Sequence, residues 1–396
     1  MKLFPNTVNG VVKSLTDIFD NNQYADKVIE RVLKSNPKWG ARDRAFIAES
    51  VYEIVRWKRL IQYLSPAEDY YHWFGTYWTL QGRSLPEWKE FRKIDHEKIL
   101  KKQETITQRT LRQSIPDWLD QMGQEQLGDR WEPELESLNK EAEVVLRVNT
   151  LKTSKSKLRE DLEALDISAY TVKGYPDALV LERRRNVFRT NLFKDGLFEV
   201  QDASSQQVAE ALDVAPGLRV IDACAGAGGK SLHLAALMEN KGRIVAMDLE
   251  AWKLKNTKLR ARRAGVSIIE TRPIEGSKTI KRLYQSADRL LLDVPCSGLG
   301  VLRRNPDTKW KLSPESIGKV QGMQSEILTQ YPSMLKPGGI LVYATCSILP
   351  SENNLQIEAF LNSPAGQSFE LLEEKQVFAH ESGFDGFYIA KMRKKA

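Results

Sequence analysis

The spacing of apolar positions changes twice along the chain and divides it into three stretches. From Val8 to about Leu64 they recur at helical intervals, as in Phe46, Ile47, Val51, Tyr52, Ile54, Val55 and Leu60, which predicts a helical domain. The aromatic run YYHWFGTYW, from Tyr70 to Trp78, holds few cations, so it reads as packing between helices rather than a platform for unpaired bases. The chain leans basic from Arg83 to Gln113 and acidic from Asp117 to Glu143, and the all-helical domain is placed at residues 1–140. Residues 141–203 change period: VVLRVN, ALVLE and LFEVQ read as strands and Lys155 to Leu165 as a helix, a small α+β module. In residues 204–396 the strands VID, IVAMD, SIIE, LLLDV and ILVYATC alternate with helical segments such as Trp252 to Arg263 and Glu315 to Leu335. That alternation predicts a doubly wound, Rossmann-like α/β domain with a mostly parallel sheet, whose ligands collect at the carboxyl ends of the strands.

The hub of this third stretch is GLRVIDACAGAGGKSLHLAALM, Gly217 to Met238. It reads as a buried strand (Leu218 to Ile221), a turn with Gly226, Gly228 and Gly229, and an apolar helix opening near Lys230. Such a turn brings bare backbone N–H groups and the positive end of a helix to one spot. The next strand, Arg243 to Met247, ends in Asp248, about 20 residues beyond the glycines, where doubly wound sheets place a carboxylate on ribose hydroxyls. GAGGKS is not a Walker A loop, because Cys224 stands where its first glycine is required, and Ser231 takes the place of the third glycine of a dinucleotide fingerprint. A nucleoside without phosphates, S-adenosylmethionine, suits the turn; the plain alternative is a turn that only connects strand to helix.

Length and composition narrow the function classes. A chain of 396 residues implies two or three domains, and 41% hydrophobic with 28% charged residues is the make-up of a soluble globular protein. No apolar run reaches the roughly 18 residues of a membrane span. Met1 to Asp20 carries Pro5 and polar residues where a signal peptide needs its apolar segment, so a cytoplasmic location and no membrane contact are expected. The net charge of +7 suggests a polyanionic partner, RNA in this reading. RRRNVFR, Arg183 to Arg189, is either a phosphate contact or an exposed basic loop. Three cysteines (Cys224, Cys296, Cys346) and four scattered histidines give neither a disulfide framework nor metal spacing, so no metal is expected.

Two strand ends carry the candidate chemistry. LLLDVPCSG presents Asp293 and Cys296, and LVYATCS presents Cys346. A single cysteine is more often a small buried hydrophobe, and Asp293 alone could be a cap. Two cysteines at strand ends beside a cofactor turn suit methyl transfer to cytosine C5, where a thiolate adds to C6 and a carboxyl group steadies the charge on the ring.

DACAGAGGKS, LLDVPCSG, RRNPDTKW, YATCS, SENNLQIEAFL and DGFYIAK, in this order, make the chain similar to the RNA (cytosine-5) methyltransferase family. Within that family it resembles the bacterial small-subunit ribosomal RNA branch, with a NusB-like N-terminal domain; RDRAFIAESVYEIVRW, RVNTLK and VQDASSQ match as well. The resemblance spans almost the whole chain. It implies Cys346 as the nucleophile, Cys296 as the group that helps release product, and Asp293 beside them. It implies S-adenosylmethionine held by Cys224, Ala225, Gly226, Ala227, Gly228, Gly229, Lys230, Asp248 and Asp293. Arg303, Arg304 and Asp307 would face RNA, which would be 16S rRNA, with transfer RNA as the second choice and a non-catalytic assembly factor as the rival class; a monomer is expected. Gly226-Ala227 replaces the family's usual Ala-Pro, Lys253 replaces a common arginine, and Glu270 to Gly276 offers no clear match for the aspartate near the adenine, leaving that contact unassigned.

Overall fold

Pro5, whose missing N–H suits the first turn of a helix, opens α1 (Pro5–Phe19). It is followed by α2 (Ala25–Ser35), α3 (Ala41–Arg56), α4 (Lys58–Leu64) and α5 (Tyr70–Leu80). The computed structural model describes residues 2–396. The chain divides into two units, Met1–Lys140 with Leu302–Pro314, and Glu141–Val301 with Glu315–Ala396. In the helical unit the apolar stripe of α3, Phe46, Ile47, Val51, Ile54 and Val55, shares one core with Val8, Val11 and Leu15 of α1 and Trp73, Phe74 and Trp78 of α5. Burying each such side chain is worth about 1.5–3 kcal/mol. From Trp73 to Trp78 the aromatic run is interior, with Phe74 and Trp78 stacked at 5.6 Å between ring centroids, while Tyr70, Tyr71 and His72 are half-buried. Asp69 caps α5 by accepting the N–H groups of Tyr71 and His72, both at 3.1 Å.

The second unit begins with a four-stranded antiparallel sheet of β1 (Val145–Val148), β2 (Ala169–Thr171), β3 (Ala178–Leu181) and β4 (Phe198–Val200), in the order β2-β3-β1-β4. Ser154 caps the helix Lys155–Glu163. Leu158 and Leu162, one helical turn apart, cover Leu146, Val148, Leu179 and Leu181. Val145, Ala178 and Val180 point the other way and meet Ala203 and Phe384. Both faces of β1 and β3 are therefore buried; β3 is an unbroken apolar run, and β1 is interrupted by the buried Arg147 alone.

The remaining strands are β5 (Arg219–Asp222), β6 (Arg243–Asp248), β7 (Ile269–Pro273), β8 (Ala287–Asp293), β9 (Leu335–Thr345), β10 (Phe369–Val377) and β11 (Phe387–Lys394). They form one sheet in the order β10-β11-β9-β8-β5-β6-β7. Strands β5 to β9 pair in parallel, whereas β11 runs antiparallel to β9 and β10 antiparallel to β11. This antiparallel edge is absent from the strands read in the sequence. The helix expected to run to Leu335 stops at Gln330, and a tight turn at Tyr331–Met334 delivers the chain into β9. Pro332, lacking an N–H, accounts for the break. The connections diverge at β5, with β6 on one side and β8 on the other, and such a switch point opens a crevice at the carboxyl ends of the strands.

Candidate active site at the carboxyl ends of the strands

Beyond Asp222 the chain turns sharply and enters the helix Gly229–Leu237. Gly228 takes a left-handed φ of +81°, and a Cβ there would come within 2.5 Å of the Thr257 side chain, so glycine is required. Gly226 also has positive φ, but a Cβ on it would meet nothing within 4 Å. The turn is thus packed on one side and bare on the other. Its carbonyls are held from the packed side: Thr257 Oγ1 donates to Gly226 O at 3.3 Å, Arg260 Nη1 to Ala227 O at 2.8 Å and Arg147 Nη1 to Gly229 O at 2.6 Å. Arg147 also bonds Gln201, and Glu199 receives Arg260 and Arg263. Burial brings the Arg147 guanidinium down to about 10. Arg147 opens the RVNTLK stretch, which carries part of the resemblance without pointing to this role, and nothing in the local patterns around Thr257, Arg260 or Glu199 marks them.

Asp248, at the end of β6, accepts the Gly226 N–H at 2.9 Å on one oxygen and the Glu250 N–H at 2.8 Å on the other. One N–H of the turn is therefore engaged by this carboxylate, while each Asp248 oxygen keeps a further lone pair. Asp222, fully buried, accepts the Ser231 hydroxyl at 2.6 Å. Burial, aided by the nearby Asp293 charge, raises its carboxyl to about 7 against the hydrogen bond from Ser231. Cys224 packs against the core below the turn, and burial together with the Asp222, Asp293 and Asp248 charges pushes its thiol well up. It stays protonated.

Asp293 ends β8 and accepts Lys230 Nζ at 2.6 Å. Burial opposes the Lys230 charge, but Asp293, and after it Cys346 and Asp222, outweigh burial and raise its pKa. Asp293 pairs with Ala344 across β8 and β9, so the loops that follow run side by side and bring Cys296 Sγ within 3.1 Å of Cys346 Sγ. The hydrogen bond to Cys346, then burial, holds the Cys296 thiol well above the usual range. Gly300 donates its N–H to Cys346 O at 2.9 Å. Ser297 and Ser347, which follow the two cysteines, both bond the buried Glu352. The repeated Cys-Ser pair and the SENN stretch were the available sequence signal for that link.

The RRNPDTKW segment lies in the helical unit. Asp307 Oδ2 accepts the N–H of Ala25, the first residue of α2, at 2.9 Å and so caps that helix. Arg56 donates to Arg303 O at 3.1 Å and Trp310 to Val55 O at 2.7 Å. Arg303 and Asp307 are 8% and 4% exposed, and Arg304 is half-buried. Two of the three residues expected at an RNA-facing surface are thus inside the helical unit, Asp307 fixing a helix end. No group of His, Cys, Asp and Glu among the described residues is arranged to hold a metal ion, and no described helix is long and apolar enough to cross a membrane.

A doubly wound sheet, a glycine turn and an acid at the end of the next strand make a nucleoside site, and the matches that follow make it that of an S-adenosylmethionine-dependent methyltransferase. The family description "16S rRNA methyltransferase RsmB/F" matches residues 209–393, and "RsmF/B-like, ferredoxin-like domain" matches 115–188. A probable ribosomal RNA small subunit methyltransferase B of Synechocystis is 36% identical over 304 residues, 71% of this chain and 67% of that protein. Its namesake in Bacillus subtilis is 36% identical over 266 residues, 63% of this chain and 59% of that protein. The crystal structure of a methyltransferase homolog from Pyrococcus horikoshii is 30% identical, with a TM-score of 0.64 over 72% of this chain and 97% of that one. The chain belongs to the RsmB/F methyltransferase family. Its residues fit the methyl donor: the bare side of the turn at Gly226 admits a ligand to the main chain, and Asp248 retains acceptors for hydroxyls.

Proposed function

We propose that the chain methylates C5 of a cytidine in 16S ribosomal RNA, using S-adenosylmethionine and a transient covalent bond from Cys346 to C6. The observation that carries the reading is the pair of sulfurs, 3.1 Å apart beyond adjacent strands, with the Lys230–Asp293 pair on the same sheet edge. The matched relatives bear the name of small-subunit ribosomal RNA methyltransferases, which supports the choice of RNA.

Cytosine C5 is too electron-poor to attack a methyl group unaided. Cys346 adds as a thiolate to C6 and moves electron density onto C5. S-Adenosylmethionine, when bound, supplies an electrophilic methyl group. Cys224, Ala225, Gly226, Ala227, Gly228, Gly229, Lys230, Asp248 and Asp293 would hold it, with Asp248 offering acceptors for the ribose hydroxyls. Lys230 keeps a cation near the attacking sulfur, and Asp293 accepts the exocyclic amine of the base, so charge on the ring meets a fixed pair. Cys296 holds its proton chiefly because of its hydrogen bond to Cys346. Once Cys346 is a thioether, Cys296 is the group assigned to act as base: having released its own proton to solvent, its thiolate takes the C5 proton, the C5–H electrons form the C5–C6 double bond, and the C6–S bond breaks with its electrons leaving on Cys346 as thiolate.

The helical stretch 1–140, a NusB-like fold in this reading, binds RNA, as does the 141–203 module through Arg183 to Arg189; Arg304 adds a phosphate contact, while Arg303 and Asp307 shape its loop. The protein acts as a cytoplasmic monomer. Bisulfite mapping of ribosomal and transfer RNA from cells with and without the gene tests the reading. A 16S cytidine protected only when the gene is present is expected. A transfer-RNA site moves the substrate, and unchanged maps favour a non-catalytic assembly factor.

A further inference from the structure

Both cysteine loops are tied to one carboxylate that the proposed chemistry leaves without a role. Glu352 ends the short turn Pro350–Glu352 and is fully buried. Its Oε1 accepts the Ser297 N–H at 2.7 Å and Gln324 Nε2 at 3.2 Å, and its Oε2 accepts the hydroxyls of Ser297 and Ser347, each at 2.5 Å. Ser297 directly follows Cys296 and Ser347 directly follows Cys346. The backbone N–H and the amide can only donate, so the Glu352 side chain is the acceptor at the centre of the set. The two hydroxyls lie 3.2 Å apart and accept in turn from Leu299 N and Leu349 N at 3.4 and 3.2 Å, which sets the path of both loops beyond the serines. Glu352 is itself fixed, since Tyr343 donates to its carbonyl at 2.8 Å. The next residue, Asn353, donates to Ser347 O at 3.0 Å and accepts Thr345 Oγ1 at 2.6 Å.

A buried carboxylate met by neutral donors is a costly way to join two loops, and apolar packing would join them with less penalty. Directed bonds supply what apolar contact lacks, a single relative orientation of the two chains. We infer that Glu352 is a positioning residue that locks Ser297 and Ser347 so that the Cys296 and Cys346 sulfurs stand at contact distance. Its catalytic consequence rests on the proposed cytosine chemistry, and its geometric consequence does not.

The test therefore has two readouts on the full chain. Diamide converts two thiols to a disulfide while being reduced to its hydrazine, and here the sulfurs need only close from 3.1 Å to about 2.05 Å. Peptide mass spectrometry follows formation of the Cys296–Cys346 bond, without RNA, in the wild type, Glu352→Gln, Ser297→Ala and Ser347→Ala. The bond is expected to form about tenfold more slowly in Glu352→Gln and less slowly affected in each serine variant, with S-adenosylhomocysteine affinity unchanged. In turnover, Glu352→Gln should lower kcat about a hundredfold and leave the KM for RNA within about twofold, a split that general loss of structure does not give. If Glu352→Gln does not fold, the serine variants, which remove one hydroxyl each, decide alone. Disulfide rates equal to wild type in every variant that folds overturn the positioning role. Slowed disulfide formation in a chain whose wild type methylates no RNA overturns the proposed reaction and leaves the positioning role standing.

Discussion

Gly226 donates its N–H to Asp248 at 2.9 Å, so the carboxylate that ends β6 closes the glycine turn that follows β5. The same oxygen pair is the ribose acceptor in the proposed site, which couples the shape of the turn to the ligand it receives.

Asp248→Ala should therefore weaken S-adenosylhomocysteine binding about a hundredfold, and Asp248→Asn, which keeps the shape and one acceptor, about tenfold. Calorimetry measures both, with ATP as the control ligand. Tighter binding of ATP than of S-adenosylhomocysteine to the wild type would count against the nucleoside reading of the turn.

Arg147 reaches from β1 to Gly229 O and Gln201, a clamp between the α+β module and the turn. Removing one partner from a buried polar set leaves the others unsatisfied, so Arg147→Met should lower stability by about 2–4 kcal/mol and loosen cofactor binding as well. Urea titration gives the first value. A loss below about 0.5 kcal/mol, the range of surface changes, would show that the clamp contributes nothing.

Asp222 gives a pH dependence of defined sign. Its carboxyl is raised from 3.8 to about 7, chiefly by burial, so between those values the folded chain holds a proton that the unfolded chain has released. Stability from this group is full below the unfolded value, falls as pH rises, and is lost above about 7. Asp222→Asn, which can still accept from Ser231, should remove the slope and gain on the wild type as pH rises from 4 to 7. Thermal unfolding across that range checks it; parallel curves for the two proteins would exclude the titration.

Local signals were legible in the sequence and long-range ones were not. The turn at Gly226 to Gly229 and the strand ends at Asp222, Asp248 and Asp293 are written in contiguous residues whose period and glycines suffice. The edge strand β10 was missed because Phe369–Val377 is exposed at most positions and carries charged residues, leaving little alternation to see. Asp307 is placed by Ala25, 282 residues away, and Trp310 by Val55, 255 away, so no window around RRNPDTKW reveals that it lies in the helical unit. Glu352 lies within the SENN stretch, yet the positioning role proposed for it depends on Ser297, 55 residues earlier, arriving beside it.

The two sulfurs 3.1 Å apart have different consequences when each is removed. Cys346→Ala takes away the sulfur proposed to attack C6, so methylation should fall by at least about a thousandfold, while S-adenosylhomocysteine still binds because the turn lies on another strand. Cys296→Ala leaves the attack intact but removes the group proposed to take the C5 proton. Its thioether to methylated RNA should then persist, as a slow-migrating, protease-sensitive band on a denaturing gel. The double variant should give no band, since no thiolate remains to form the bond. Two packed core thiols would instead yield single variants that lose some stability and keep turning over. A band that persists in Cys346→Ala and vanishes in Cys296→Ala would exchange the two roles, and would place the attacking sulfur on the loop after β8 rather than the loop after β9.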